Sequence, residues 1–265
     1  MKRSLLLTAF IIPVGVYAQI NPGPRSTALG STGVVLQDVW SLQSNQAGLA
    51  ALKRPAASAA IENLFVTSEV STKSAVAAVP FKQDVFGLSF QSYGFSAYTE
   101  QRAGFTYART FNDVIFTALN INYHQLVIPK YGSTRTFSVE GGLQYKASEK
   151  LLIGAHVANP SQSSYEEQTA STIPVKMEFG IAYRFTDKVL FNSAFSKKLN
   201  SDADAGFGLE YTIAEWLALR GGLTANPLRQ QAGFGLVYQN IRIDAAASSH
   251  PVLGYSPQIA LSYEF

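Results

Sequence analysis

Glu178-Phe179-Gly180-Ile181-Ala182-Tyr183-Arg184-Phe185 alternates without a slip. Phe179, Ile181, Tyr183 and Phe185 fall on one side of an extended chain, and Glu178, Gly180, Ala182 and Arg184 on the other. A period of two marks a strand, because successive side chains of a pleated backbone point to opposite faces. The pattern recurs on both sides of this stretch. Phe137, Val139, Leu143 and Tyr145 alternate with Ser138, Glu140, Gly142, Gln144 and Lys146. Phe207, Leu209 and Tyr211 alternate with Gly206, Gly208, Glu210 and Thr212, and Phe234, Leu236 and Tyr238 with Gly233, Gly235, Val237 and Gln239.

Short turns punctuate these runs. Phe111-Asn112-Asp113-Val114, Ala147-Ser148-Glu149-Lys150, Phe185-Thr186-Asp187-Lys188 and Ile213-Ala214-Glu215-Trp216 each follow a tyrosine: Tyr107, Tyr145, Tyr183 and Tyr211. Phe81–Asp84 and Gln239–Ile241 make similar turns. More variable polar breaks lie between them, near 67–72, 93–99, 129–133, 159–173, 199–203, 226–229 and 250–254. Repetition of one hairpin unit from Ala56 onward gives about fourteen antiparallel strands, the even number expected of a single-chain bacterial barrel. Both ends of the wall then fall on the tight-turn rim.

Composition decides between a soluble sandwich and a membrane barrel. Of the 265 residues 47% are hydrophobic, 12% aromatic and only 15% charged, with a net charge of +3. Soluble domains carry about 25% charged residues. No apolar run after the N-terminal stretch reaches the ~20 residues of a spanning helix. In lipid every backbone polar group must be paired within the protein, which forces a sheet to close on itself. The fold class expected is all-β, an antiparallel transmembrane β-barrel. Its apolar face meets lipid, with Tyr and Phe near the turns as an interfacial girdle. Its other face carries Glu140, Lys146, Lys176, Glu178, Arg184, Glu210, Arg220, Arg242 and Asp244. Acid and base are mixed there, which predicts a salt-bridged lumen.

Residues 1–18 read as a signal peptide: Met1-Lys2-Arg3, an apolar stretch from Leu5 to Val16 broken by Pro13, and Val16-Tyr17-Ala18 before a cleavage expected between Ala18 and Gln19. With no cysteine in the chain, lipid attachment after cleavage is excluded. At the other end Ile259, Leu261, Tyr263 and Phe265 place an apolar residue at every second position. This resembles the C-terminal signal read by the outer-membrane insertion machinery, with Tyr263 and Phe265 as its residues. The expected location is the cell outer membrane, in contact with its lipid and lipopolysaccharide. Lys197-Lys198 reads as a solvated loop, with lipopolysaccharide contact as the alternative.

Residues 19–55 lack sustained alternation and are broken by Pro22, Gly23, Pro24, Gly30 and Gly33. They are expected to form a hatch in or near the lumen of a barrel spanning 56–265. Gly23-Pro24-Arg25-Ser26-Thr27-Ala28-Leu29-Gly30, then Asp38, then Asn45-Gln46-Ala47-Gly48-Leu49-Ala50, resembles the N-terminal segment of the FadL-like outer-membrane barrels, PorV/PorQ-like branch. Gln46 stands where that family usually has proline, and Pro24 where it usually has alanine. The hatch motif residues carried over are Gly30, Asp38, Asn45, Gly48 and Leu49. The resemblance implies a fourteen-stranded barrel with an N-terminal hatch. It also implies an accessory, scaffolding subunit of an outer-membrane protein secretion or assembly machine, as in type IX secretion, with a larger outer-membrane complex as partner. The alternative it implies is a passive transporter of small hydrophobic molecules, with a ligand pocket at Leu36, Val39, Trp40 and Leu42. Glycines on the lumen face (Gly87, Gly104, Gly142, Gly180, Gly206, Gly208, Gly222, Gly233, Gly235) fit wall curvature, or room for the hatch.

Catalysis is not expected. His124, His156 and His250 stand apart, with no neighbour at metal-ligand spacing. His124 beside Asn120 and Asn122, or His156 with Asn159, would be the only hydrolase-like groupings. No cofactor motif is present, since Gly206-Phe207-Gly208 lacks a third glycine and a following helix. Scattered Lys and Arg give no stripe for nucleic acid. Trp216 fits the interfacial girdle and Trp40 a packing anchor in the hatch.

Overall fold

A computed structural model describes residues 20–66, 70–165 and 172–265. The expected signal peptide, with the expected cleavage pair Ala18 and Gln19, lies outside the described residues. So do parts of the breaks near 67–72 and 159–173.

The chain first forms a compact segment, residues 20–55, with one short helix α1 (Pro24–Ala28) and 3-10 turns at Gly33–Val35, Val39–Gln43 and Gln46–Ala51. Then come β1 (Ala56–Asn63), β2 (Ser71–Phe81), β3 (Asp84–Phe95), β4 (Tyr98–Phe111), β5 (Ile115–Ile128), β6 (Gly132–Lys146) and β7 (Leu151–Ala158). The wall continues with β8 (Lys176–Thr186), β9 (Val189–Lys198), β10 (Ala203–Ala214), β11 (Leu217–Ala225), β12 (Leu228–Tyr238), β13 (Ile241–His250) and β14 (Gly254–Glu264). Each strand pairs antiparallel with its sequence neighbours, and β14 pairs with β1 to close a fourteen-stranded barrel. At that seam Tyr263 lies opposite Ala57 and Leu261 opposite Ala59, and the Phe265 N–H donates to the Pro55 carbonyl at 2.9 Å.

The tight turns follow from local chemistry. Asn112 and Asp113 both adopt φ 53°, the left-handed pair whose twist matches the flanking strands, and few other residue types accept it cheaply. The opposite rim is less elaborate than its polar breaks suggest. Between β3 and β4 only Ser96 and Ala97 intervene, and between β11 and β12 only Asn226 and Pro227. The longest connection joins β7 to β8. Asn159 braces its start, donating to the carbonyls of Ser163 and Ile173 at 2.9 Å.

The two faces of the wall invert the order of a soluble protein. Leu119, Phe137 and Leu88 are 69%, 62% and 61% exposed on the outside, whereas Asn120, Asn122 and Gln144 are fully buried inside. Phe81, Phe111, Tyr145, Phe185, Tyr211, Trp216, Tyr238, Tyr263 and Phe265 are exposed near the tight-turn rim, at the level of an interfacial girdle. Such an exterior is stable only against hydrocarbon. The apolar core proper lies between hatch and wall, where Val39, Trp40, Leu42, Ala47 and Leu49 pack on Val76, Val85, Ala108, Phe116 and Ala118.

Candidate functional site: the hatch and the lumen it occupies

The hatch threads the lumen lengthwise. At its start the Asn21 N–H donates to Gln91 Oε1 at 2.9 Å and its amide nitrogen to Glu62 Oε2 at 3.1 Å, both toward the loop-side halves of β1 and β3. At its end Lys53 pairs with Asp113 in the β4–β5 tight turn at 2.9 Å. Between these points the segment packs against strands around the barrel.

The lumen glycines show why it fits. A Cβ added at Gly206 would stand 2.0 Å from the Gly30 carbonyl oxygen, and one at Gly208 2.4 Å from that of Leu29. At Gly222 it would meet the Gly30 nitrogen at 2.2 Å, at Gly154 the Val34 oxygen at 2.3 Å, and at Gly142 the Asn45 side chain at 2.2 Å. Real side chains do not approach so closely, so the glycines on β6, β7, β10 and β11 are a cradle for hatch backbone. Curvature alone does not account for them. Gly30 answers from the other side, with φ 70° at the point of closest approach. Gly104 and Gly235 face wall side chains instead: Ser89 and Asn122 for the first, Arg220 and Asp244 for the second.

The buried charges of the lumen form two clusters, and each reaches the hatch. In the first, Arg25 of α1 grips Glu210 of β10 with Nε to Oε2 at 2.9 Å and Nη2 to Oε1 at 2.7 Å, while its Nη1 reaches Asp38 at 3.1 Å. Arg220 binds the same Glu210 at 2.6 Å and Asp244 at 2.6 Å. In the second, Glu140 of β6 accepts from Arg102 at 2.6 Å, from Asn122 at 3.0 Å and from the hatch amide of Gln46. His156 stands between Glu140 at 3.4 Å and Glu178 at 3.1 Å, and Lys176 closes on Glu178 at 2.7 Å. Arg102 Nη1 also donates to the hatch residue Gln43 at 3.1 Å. Buried charges are costly unless paired and hydrogen-bonded. These are paired, while Arg102 Nε and His156 Nε2 have no hydrogen-bond partner among the described residues.

Three expected members of the network stand apart. Arg184 is exposed near the β8–β9 turn and Arg242 is only half-buried, and neither forms an ion pair among the described residues, while Lys146 pairs only with Glu149 in the next turn at 2.7 Å. Arg25, Asp38, Arg102 and His156 take the places left open. Arg102 and His156 were missed because cross-strand partners depend on register, and His156 comes opposite Glu178 only once β7 and β8 are aligned.

The hatch motif divides by role. Asp38 caps the turn after it through Trp40 N–H at 2.9 Å and binds Arg25. Asn45 donates to the carbonyls of Val34, Leu143 and Ala155 at 2.8, 3.2 and 3.2 Å, sewing hatch to β6 and β7. Gly48 lets the chain pass Leu36 and Ser41, where a Cβ would lie 2.3 Å from the Leu36 oxygen. Leu49 is a fully buried packing residue. Gln46, at the family's usual proline position, supplies the amide that meets Glu140.

The pocket expected at Leu36, Val39, Trp40 and Leu42 does not form as one apolar cavity. Leu42 fills the space over Gly87, where a Cβ would come within 2.6 Å of it. Leu36 is buried, and its carbonyl accepts from Gln144 at 3.1 Å. Val39 and Trp40 border a cavity of 350 Å³ on the tight-turn side. Its remaining lining is largely polar, with Arg25, Glu210, Arg220, Arg242 and Asp244. At the loop side Tyr165 of the β7–β8 connection is buried. That burial, with Glu100 and Tyr98 of β4 nearby, holds its phenol proton above the ordinary range.

The His156 grouping comes apart, since His156 faces carboxylates and Asn159 braces a loop. His124 meets Ser138 Oγ at 2.8 Å inside the lumen, on the same face as Asn120 and Asn122. Trp216 is exposed on the outer face as a girdle residue, and Trp40 is buried against Gly23, which adopts φ 85° beneath its ring.

A closed fourteen-stranded antiparallel barrel, apolar outside and occupied by its own N-terminal hatch, is the class of protein these features define. Its fold is that of the FadL-like barrels. The toluene transporter TodX of Pseudomonas putida is similar over 90% of this chain and 96% of its own, with TM-score 0.70 and 11% identity. The monoaromatic hydrocarbon channel CymD matches over 94% and 99%, with TM-score 0.71 and 11% identity. A FadL homologue of Pseudomonas aeruginosa matches over 91% and 98%, with TM-score 0.66 and 10% identity. No family model matches the sequence, and neither does any curated protein. Nothing in these likenesses singles out the PorV/PorQ-like branch.

Proposed function

We propose that this chain is a FadL-like passive transporter of small hydrophobic molecules in the outer membrane, in which the hatch is the moving part. The observation that carries the reading is architectural. The hatch stands across a fourteen-stranded lumen in a fold shared, over nearly the whole chain, with proteins described as toluene and monoaromatic hydrocarbon channels. Val39 and Trp40 on the tight-turn cavity are the apolar contacts such a solute would meet on leaving the hatch.

A second reading, the accessory subunit of a secretion or assembly machine, is favoured by a different observation. The hatch is locked by two buried ion clusters, and the loop-side connections other than β7–β8 are short. Proteoliposomes separate the two readings. Uptake of toluene by vesicles bearing the full chain should exceed that of protein-free vesicles, and deletion of residues 20–55 should change it. Equal uptake with and without protein would sink the transporter. Recovery of a large outer-membrane partner in mild detergent would then favour the accessory role.

A further inference from the structure

The outer face of the wall is not uniform. Over β1 and β2 the lipid-facing positions Ala57, Ala59, Ala75 and Ala77 carry only methyl groups, while their flanks carry Leu261 and Tyr263 on one side and Leu88 and Phe90 on the other. The result is a trough of 940 Å³ on the barrel exterior. Phe105, Tyr123 and Phe137 extend it across β4 to β6.

The row immediately above this trough, toward the loop rim, is polar. Register places Lys73 opposite Ser92, Ser92 opposite Gln101, Gln101 opposite Gln125, and Gln125 opposite Arg135. Lys73 and Arg135 are exposed on the outer face, and neither has an ion-pair partner among the described residues. The next row down reads Ala75, Phe90, Ala103, Tyr123 and Phe137 without a polar interruption except the tyrosine hydroxyl, which donates upward to Gln125 at 3.5 Å. The change from polar to apolar is thus one row sharp across five strands.

At Lys73 its height matches a membrane boundary. Lys73 stands eight residues up β2 from the girdle residue Phe81. At ~3.3 Å per residue and a tilt of ~40° that is about 20 Å of height, close to the ~25 Å apolar band of such barrels. The two cations are four strands apart, about 19 Å measured across the strands, with side-chain amides between them; because that row runs perpendicular to strands tilted ~40°, they also differ in height by about 12 Å. Cations without an ion-pair partner among the described residues, at the polar boundary above a trough sized for hydrocarbon, are complementary to an amphiphile with phosphates on its head.

We infer that this face binds one lipid of the outer leaflet that carries two phosphates, one at Lys73 and the other at Arg135, with its head group along Ser92, Gln101 and Gln125 and an acyl chain in the alanine trough. The site rests on the outer-membrane placement proposed above, with the loop rim outward. It is independent of whether the hatch opens.

The full chain, folded into nanodiscs of phosphatidylethanolamine with a minor share of lipid A, gives the test. Lipid A carried into mild detergent is measured by mass spectrometry. Wild type should retain lipid A in preference to phosphatidylethanolamine. The double variant K73Q/R135Q should lower retention roughly tenfold or more, through loss of a charge-assisted contact at each end. A75L/A77L should lower it by filling the trough, and K150Q on the opposite rim should not. Excess inorganic phosphate should leave retention unchanged, because the trough as well as the head holds the lipid. Retention that is equal in wild type and K73Q/R135Q, or equal for both lipids, overturns the inference. A chain that inserts and folds yet retains no lipid A sinks this site and leaves the transporter reading standing.

Discussion

Arg25 and Glu210 meet as a two-pronged pair, Nε to Oε2 at 2.9 Å and Nη2 to Oε1 at 2.7 Å, across 185 residues of chain. This is the principal charged contact between hatch and wall on the tight-turn side. Arg25→Ala removes it and leaves Asp38 and Glu210 partly buried with one partner fewer. Breaking a buried pair from one side costs about 3–5 kcal/mol where both groups are desolvated, and these side chains keep 16% and 11% exposure, so the lower end applies. The hatch should become cleavable by protease while the wall stays resistant. Unchanged cleavage would show that the pair does not hold the hatch.

Gly221 and Gly222 are neighbours on β11 that face opposite ways. A Cβ at Gly222 would collide with the hatch at 2.2 Å, and one at Gly221 meets nothing within 4 Å. Gly222→Ala should therefore displace the hatch and lower the barrel's melting temperature, whereas Gly221→Ala should do neither. If wall curvature were the reason for these glycines, both substitutions would disturb the barrel alike.

The chain has two tryptophans, and the fold sends them to different solvents. Trp216 is 58% exposed on the outer face, and Trp40 is 4% exposed inside. In bilayers of brominated lipid the fluorescence of the Trp40→Phe variant, which reports Trp216, should be strongly quenched. That of Trp216→Phe should survive. Equal quenching of both would contradict a hatch lodged inside the wall.

Lys53 and Asp113 tether the end of the hatch to a turn in water, and both are more than half exposed. The hydrogen bond and charge of Lys53 hold the Asp113 carboxyl below its usual range. Such a depressed acid adds stability only above its unfolded-state pKa, and the addition is lost as pH falls through the lowered value. Screening makes the pair weak even at neutral pH. Lys53→Ala should leave hatch cleavage unchanged from pH 7 down to acid conditions. A large increase would show that this tether matters more than its exposure suggests.

The wall was legible because each strand displays its own face pattern: the run from Glu178 to Phe185 needs no distant information to declare which side meets lipid. The seam was legible for the same reason, through Ile259, Leu261, Tyr263 and Phe265. The site was read less completely. Glu140, Glu210 and Asp244 could be assigned to the lumen, but not which base would find them, since Arg102 lies two strands from Glu140 and Arg25 lies in a segment without period. Leu42 was expected to line a cavity and instead fills one. Its neighbour Gly87 is 45 positions away, and only the folded register brings a missing side chain to meet a large one. The alanine trough likewise needs β14, β1 and β2 side by side before four methyl groups become a shape.

The placement of Asn21 near the loop-side mouth and of Pro55 beside Phe265 on the other rim has a consequence for order of assembly. A segment that runs the length of a closed ring, and continues covalently into the ring's first strand, cannot be added once the ring is shut except by threading. The seam between β1 and β14 is therefore most simply the last to close, around a hatch already enclosed by the partly formed sheet. Maturation of the wall and loading of its interior become a single event, and a barrel closed without its hatch would be a different molecular species.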